Sequence, residues 1–218
     1  DKICIPAKLL NEITKYLNDD ILIMNFNSKN FELKIESNNG LYKIMCESPN
    51  DFPIVDWNKQ VLNKTIFCQK KFKNIIANSI VTSSKDEAKP NLNGIFFKFS
   101  KDQIDLVSTD EHRLSIYEIK KNQNIEKEIE FIISKRSINN ILSVLENEEK
   151  TLSLFIEEKH LKISIDNLLI YIKIIKEKFP NYKMIIPKNN DKTIVIRKNE
   201  LLFSLKRLSI FANKSTKF

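Results

Sequence analysis

Apolar residues in this chain switch between helical and alternating spacing in a set order, and the order occurs twice. After an extended start at Asp1–Ile5, Leu9, Leu10, Ile13 and Leu17 recur at helical spacing and predict a helix over 6–18, with Pro6 at its first position. Strands follow at Ile21–Phe26, Phe31–Glu36 and Leu41–Cys46, with Asn39-Gly40 as a hairpin signal, and the unit closes with Asp51-Phe52-Pro53. The order returns at strand Ile129–Ile133. Helix Ser134–Glu146 follows, with Ile138, Ile141, Leu142 and Leu145 on one face and Ser134 placed to cap it. Strands Thr151–Glu157, His160–Asp166 and Leu169–Ile175 then lead to Lys178-Phe179-Pro180.

A second pair of segments repeats at nearly the same offset. Lys64–Lys70 reads as opening a helix through about Thr82, and Lys192–Lys198 as opening another through about Ala212. The two Phe-Pro pairs lie 127 residues apart. A period this long is that of tandem domains of roughly 125 residues and not of a solenoid. The expected organisation is the second half of one domain over 1–57, a complete domain over 58–184 and the start of a third over 185–218. Asp1 falls in a strand and Phe218 just past a helix, as in a segment of something longer. The fold class is α+β, with antiparallel sheets carrying helices on one face.

Composition changes this picture in one respect. The 218 residues carry a net charge of +8, and the basic residues gather on the predicted helices while acids crowd strands and loops. The outward faces offer Lys8 and Lys15 on the first helix and Lys70, Lys71 and Lys73 on the second. Lys135 and Arg136 lie on the third, Lys206 and Arg207 on the fourth. For any one helix a solvated lysine face explains this as well. Four equivalent helices favour one positive surface that meets phosphates without reading bases. The 42% apolar content excludes a disordered chain. No apolar run reaches a membrane span and no signal peptide is visible. Cys4, Cys46 and Cys68 have no CxxC spacing and read as reduced thilols of a cytoplasmic protein, and two histidines do not make a zinc site.

The stretch Pro90–Ile119 sets a polar cluster, Thr109-Asp-Glu-His-Arg113, between two apolar runs. Such a cluster is a turn or a site. Neighbours on a strand face opposite ways, so Glu111 and His112 would not share one ion without a turn. No nucleophile motif or glycine-rich phosphate loop accompanies them. A structural hydrogen-bonding role for His112 and Arg113 is the plainer reading. A hydrolase or metalloenzyme built on Asp110–Arg113 is the weaker one.

Leu92-Asn-Gly-Ile-Phe-Phe97, Val107-Ser-Thr-Asp-Glu-His-Arg-Leu-Ser-Ile116, Phe179-Pro-Asn-Tyr182 with Ile186-Pro-Lys188, and Leu201–Asn213 resemble, in order, motifs of the bacterial sliding clamps, the beta subunits of DNA polymerase III. The resemblance runs from about residue 2 to 218. It implies tandem clamp domains and no enzymatic activity or cofactor. It implies a head-to-tail homodimer ring around double-stranded DNA, bound without regard to sequence. Polymerase III subunits and the clamp loader would dock through short peptide motifs. Carried over by motif position, the peptide cleft would use Lys89, Leu92, Thr109, His112, Arg113, Leu114, Pro180, Met184 and Ile185. Lys89 stands where the family usually has arginine, Met184 where it often has a basic residue, and Glu111 where it has glycine. The ring interface would use Tyr42 and Ile44 against Ile210 and Phe211. A clamp-derived adaptor that binds peptides without encircling DNA is the alternative.

Overall fold

The computed structural model describes residues 2–17, 21–38, 40–52, 60–121 and 127–212. Two compact units are present, residues 1–59 and 60–218. In the first, helix α1 (Ala7–Lys15) accompanies a three-stranded antiparallel sheet, β1 (Ile23–Asn27), β2 (Glu32–Ser37) and β3 (Gly40–Met45), in the order β1-β2-β3. Alternation decides its core: Leu33 and Ile35 of β2 and Ile44 of β3 are buried with Cys46, and Leu10 and Ile13 of the helix pack on them. The predicted strand at the start is reduced to a bridge, Cys4 to Glu47, with N–H donated each way at 3.1 and 2.8 Å. The Asn39-Gly40 and Asp51-Phe52-Pro53 signals lie partly outside the described residues.

The second unit has two four-stranded antiparallel sheets. One has the order β11-β10-β9-β4, from β4 (Val61–Cys68), β9 (Thr151–Glu157), β10 (His160–Ile165) and β11 (Leu168–Lys173). The other has the order β7-β6-β5-β8, from β5 (Gly94–Phe99), β6 (Gln103–Thr109), β7 (Leu114–Lys120) and β8 (Ile129–Ser134). Helices α2 (Gln69–Ser79) and α3 (Lys135–Val144) bury Phe72, Ile75, Ile76, Ile138 and Ile141 in one core shared with both sheets. Ser134 caps α3, its hydroxyl accepting from the Ser137 N–H at 3.2 Å. The Lys73 ammonium, on α2, donates to the Leu145 carbonyl at 2.7 Å and so satisfies the far end of α3.

The β7-β6-β5-β8 sheet is covered on both faces, which is why β5 is buried at nearly every position. Ile95, Phe97 and Phe99 enter the helix-side core; Phe96, Val107 and Ile132 point the other way, into a smaller core with Leu92, Phe179 and Tyr182. A Cβ at Gly94 would lie 2.2 Å from the Ile133 carbonyl oxygen, so β5 and β8 close only over glycine here.

A strand, β4, precedes α2, but the matching stretch before the last helix forms none among the described residues. Residues 191–197 carry no regular structure, and Ile194 and Val195 are 87% and 95% exposed. An extended apolar run needs a neighbouring strand to satisfy its backbone, and none pairs with it among the described residues. Helix α4 (Lys198–Phe211) follows and has no buried residue.

Candidate functional site

The polar cluster is the turn joining β6 to β7, and its conformation follows from its side chains. The Asp110 carboxylate accepts the backbone N–H groups of His112 (3.1 Å) and Arg113 (2.8 Å), closing the chain on itself. The Arg113 guanidinium returns to the same carboxylate at 2.7 and 3.1 Å. Those bonds from Arg113, side chain first and then backbone, hold the Asp110 carboxyl down at about 2. The Thr109 hydroxyl donates to the Arg113 carbonyl (2.7 Å) and accepts from the Glu111 N–H (3.1 Å).

Glu111 therefore sits at φ 74°, in the left-handed region that glycine prefers. Its two carboxylate oxygens each take the Lys89 ammonium at 2.9 Å. This contact raises the pKa of Lys89. Two of the three positions that depart from the sliding-clamp motif thus meet each other.

Beside this turn lies a cavity of about 470 Å³. Leu114 and Ile116, two apart on β7, share one wall with Thr109, Glu111, His112 and Arg113; Ile185, Ile186 and Pro187 form the opposite one. The second wall is held from beneath. Phe179 stacks on Phe96 with centroids 4.6 Å apart, and the buried Tyr182 hydroxyl donates to Asp105 at 3.3 Å. Burial, and then the Asp105 charge, push that phenol up to about 12. The cavity offers an apolar floor with a polar rim, as a short peptide with apolar anchors requires. A larger groove of about 1050 Å³ runs past Phe96 and Phe179, lined by five glutamates and three lysines together with Leu62, Ile129 and Ile174.

Thr109, His112, Arg113, Leu114 and Ile185 of the expected cleft line the cavity. Lys89 reaches it only through Glu111. Leu92 is 4% exposed and belongs to the core beneath, so it supports the cleft without lining it. Pro180 and Met184 are exposed and lie off the cavity lining. Ile116, Ile186 and Pro187 line it too and stand outside the expected cleft set; the Leu114/Ile116 alternation is the available signal for Ile116.

Of the basic residues, Lys8, Lys15, Lys70, Lys71, Arg136, Lys206 and Arg207 are exposed on their helices. Lys73 is not: it is half-buried with its ammonium on the Leu145 carbonyl, because the end of α3 lies within its reach. Lys135 is also half-buried, donating to the Ser83 carbonyl at 3.3 Å. Of the interface residues, Ile210 and Phe211 are 78% and 87% exposed and Tyr42 is half-buried. Ile44 is 1% exposed; strand alternation turns it into the first unit's core, and it has no surface to give a partner.

Comparison with known proteins agrees with the motifs. Residues 67–181 match the family model of the DNA polymerase III beta subunit, central domain. The beta sliding clamp of Pseudomonas putida is 24% identical over 213 residues, covering 98% of this chain and 58% of the relative. That of Borreliella burgdorferi is 32% identical over 150 residues, 68% of this chain and 38% of the relative. Among solved structures, the sliding clamp of Pseudomonas aeruginosa with ligand aligns with a TM-score of 0.86 at 20% identity, over 99% of this chain and 58% of that one. The DNA polymerase III beta subunit of Thermotoga maritima aligns at 0.79 and 24% identity, over 96% and 56%. The chain thus spans little more than half the length of the Pseudomonas putida relative and of both solved structures.

Proposed function

The chain belongs to the DNA polymerase III beta subunit family, and on that premise we propose that it is the central part of a non-catalytic DNA sliding clamp. Residues 58–184 form the middle domain, 1–57 the second half of the first and 185–218 the start of the third. The match of residues 67–181 to a central-domain model supports this division. Two complete subunits close head to tail around duplex DNA. Their basic helices meet phosphates, so binding is independent of sequence and sensitive to salt. Topology, not affinity for a site, keeps the ring on its template. Polymerase III subunits and the clamp loader dock by short peptides in the Thr109–Ile116/Ile185–Pro187 cleft, which raises their effective concentration at the DNA.

The cleft carries this reading: an apolar floor beside an ordered turn, in the unit that matches the family model. The test is retention of the full-length protein on circular DNA. Protein loaded on a closed circle should stay there through a moderate-salt wash and leave when the circle is cut. Equal loss from circular and linear DNA would remove the encircling function. Peptide binding without retention would leave an adaptor.

A further inference from the structure

We propose that Glu111 sets the charge preference of the peptide cleft, turning it away from acidic ligand residues and toward basic ones. The inference rests on the cleft being a peptide site. Two strong cations stand on this side of the cavity, and each is neutralised from within the chain. Arg113 is held by Asp110 through two donors. Lys89 is held by both oxygens of Glu111 at 2.9 Å. Glu111 itself lines the cavity, and its side chain is 57% exposed. Its position is not free to drift: the Thr109 hydroxyl fixes its N–H, and φ 74° fixes the direction of its side chain.

An incoming carboxylate would have to take Lys89 from Glu111 and then lie beside the displaced charge. An incoming ammonium or guanidinium meets Glu111, which lines the cavity while Lys89 does not, and can share its exposed carboxylate with that lysine. The occupant this rim fits is a short linear peptide with apolar anchors and a basic neighbour. Exposed ion pairs are weak, so the discrimination is about two- to five-fold and fades with salt.

The experiment uses three labelled peptides with the same pair of apolar anchors, differing in one adjacent residue: Asn, Asp or Lys. Each is titrated by fluorescence anisotropy against full-length protein, wild type, Glu111→Gln and Lys89→Gln. The wild type should bind the Lys peptide about three-fold tighter than the Asp peptide. Glu111→Gln frees Lys89 and should reverse the order. Lys89→Gln leaves Glu111 unpaired and should widen the preference for Lys. A ratio that is the same in all three proteins, with the Asn peptide bound, overturns the inference and leaves the cleft standing. Failure of the wild type to bind even the Asn peptide overturns the cleft and the inference together.

Discussion

The rings of Phe96 and Phe179 lie face to face, 4.6 Å between centroids and 10° between planes, on the side of the sheet away from the helices. This stack is what gives the chain after β11 a fixed place. Phe179 is the anchor from which Tyr182 and then Ile185–Pro187 reach the cleft. Stability and site are therefore coupled here: removing the ring releases one wall of the cavity.

Phe179→Ala should cost the 60–218 unit about 3–5 kcal/mol, as for a buried aromatic truncated to a methyl. Urea denaturation checks the stability, and peptide affinity should fall with it. A loss under about 1 kcal/mol would mean that the ring is not packed as described.

Glu111 is predicted to be held against its backbone preference. A non-glycine residue in the left-handed region costs roughly 1 kcal/mol, and a β-branched one more. Glu111→Gly should stay within about 0.5 kcal/mol of wild type, since relief of strain offsets the lost exposed pair and the greater freedom of the unfolded chain. Glu111→Val should lose about 2 kcal/mol. Equal stability of the two variants would show that the turn does not require positive φ.

Asp110 carries a pH signature. Its carboxyl titrates at about 2 in the folded chain against an ordinary 3.8. The folded state thus binds that proton less tightly than the unfolded one. Its contribution is complete above about pH 4 and disappears as pH falls through about 2. A carboxyl-carbon NMR titration should place the midpoint near 2, and the stability gap between wild type and Asp110→Asn should close over the same interval. A midpoint at the ordinary value would break the Arg113 assignment.

Two kinds of helix lysine should separate by experiment. Lys70→Ala and Lys71→Ala should each lower the slope of log affinity for DNA against log salt by about 1, with little change in stability. Lys73→Ala should instead cost about 1–2 kcal/mol of stability and leave the slope alone, because its ammonium belongs to the Leu145 carbonyl. The same slope change in all three would return Lys73 to the DNA surface.

The order of elements was legible because each helix and strand carries its own period: Ile138, Ile141 and Leu145 mark α3, and Leu33 and Ile35 mark β2. Long-range partners were not. Lys73 reads as outward until the end of a helix 72 residues away is brought beside it. Ile44 and Leu92 occupy motif positions, but a motif does not say which face of the sheet is buried. The stretch over 192–198 repeats residues of β4, but it has no neighbour to pair with among the described residues. Lys89 and Glu111, 22 residues apart, show no joint pattern; only the turn at Asp110 makes them adjacent.

Gly94 has a mechanical meaning beyond its strand. Asn93, one residue earlier, accepts the N–H of Lys135, the first residue of α3, and Gly94 lies against Ile133 and Ser134 just before it. The height of that helix above the sheet is thus gauged by backbone touching backbone. A single methyl at residue 94 would act as a shim, lifting the first turn of α3 and tilting Arg136 with it. The aim of an exposed cation would then be set by a buried contact between two strands.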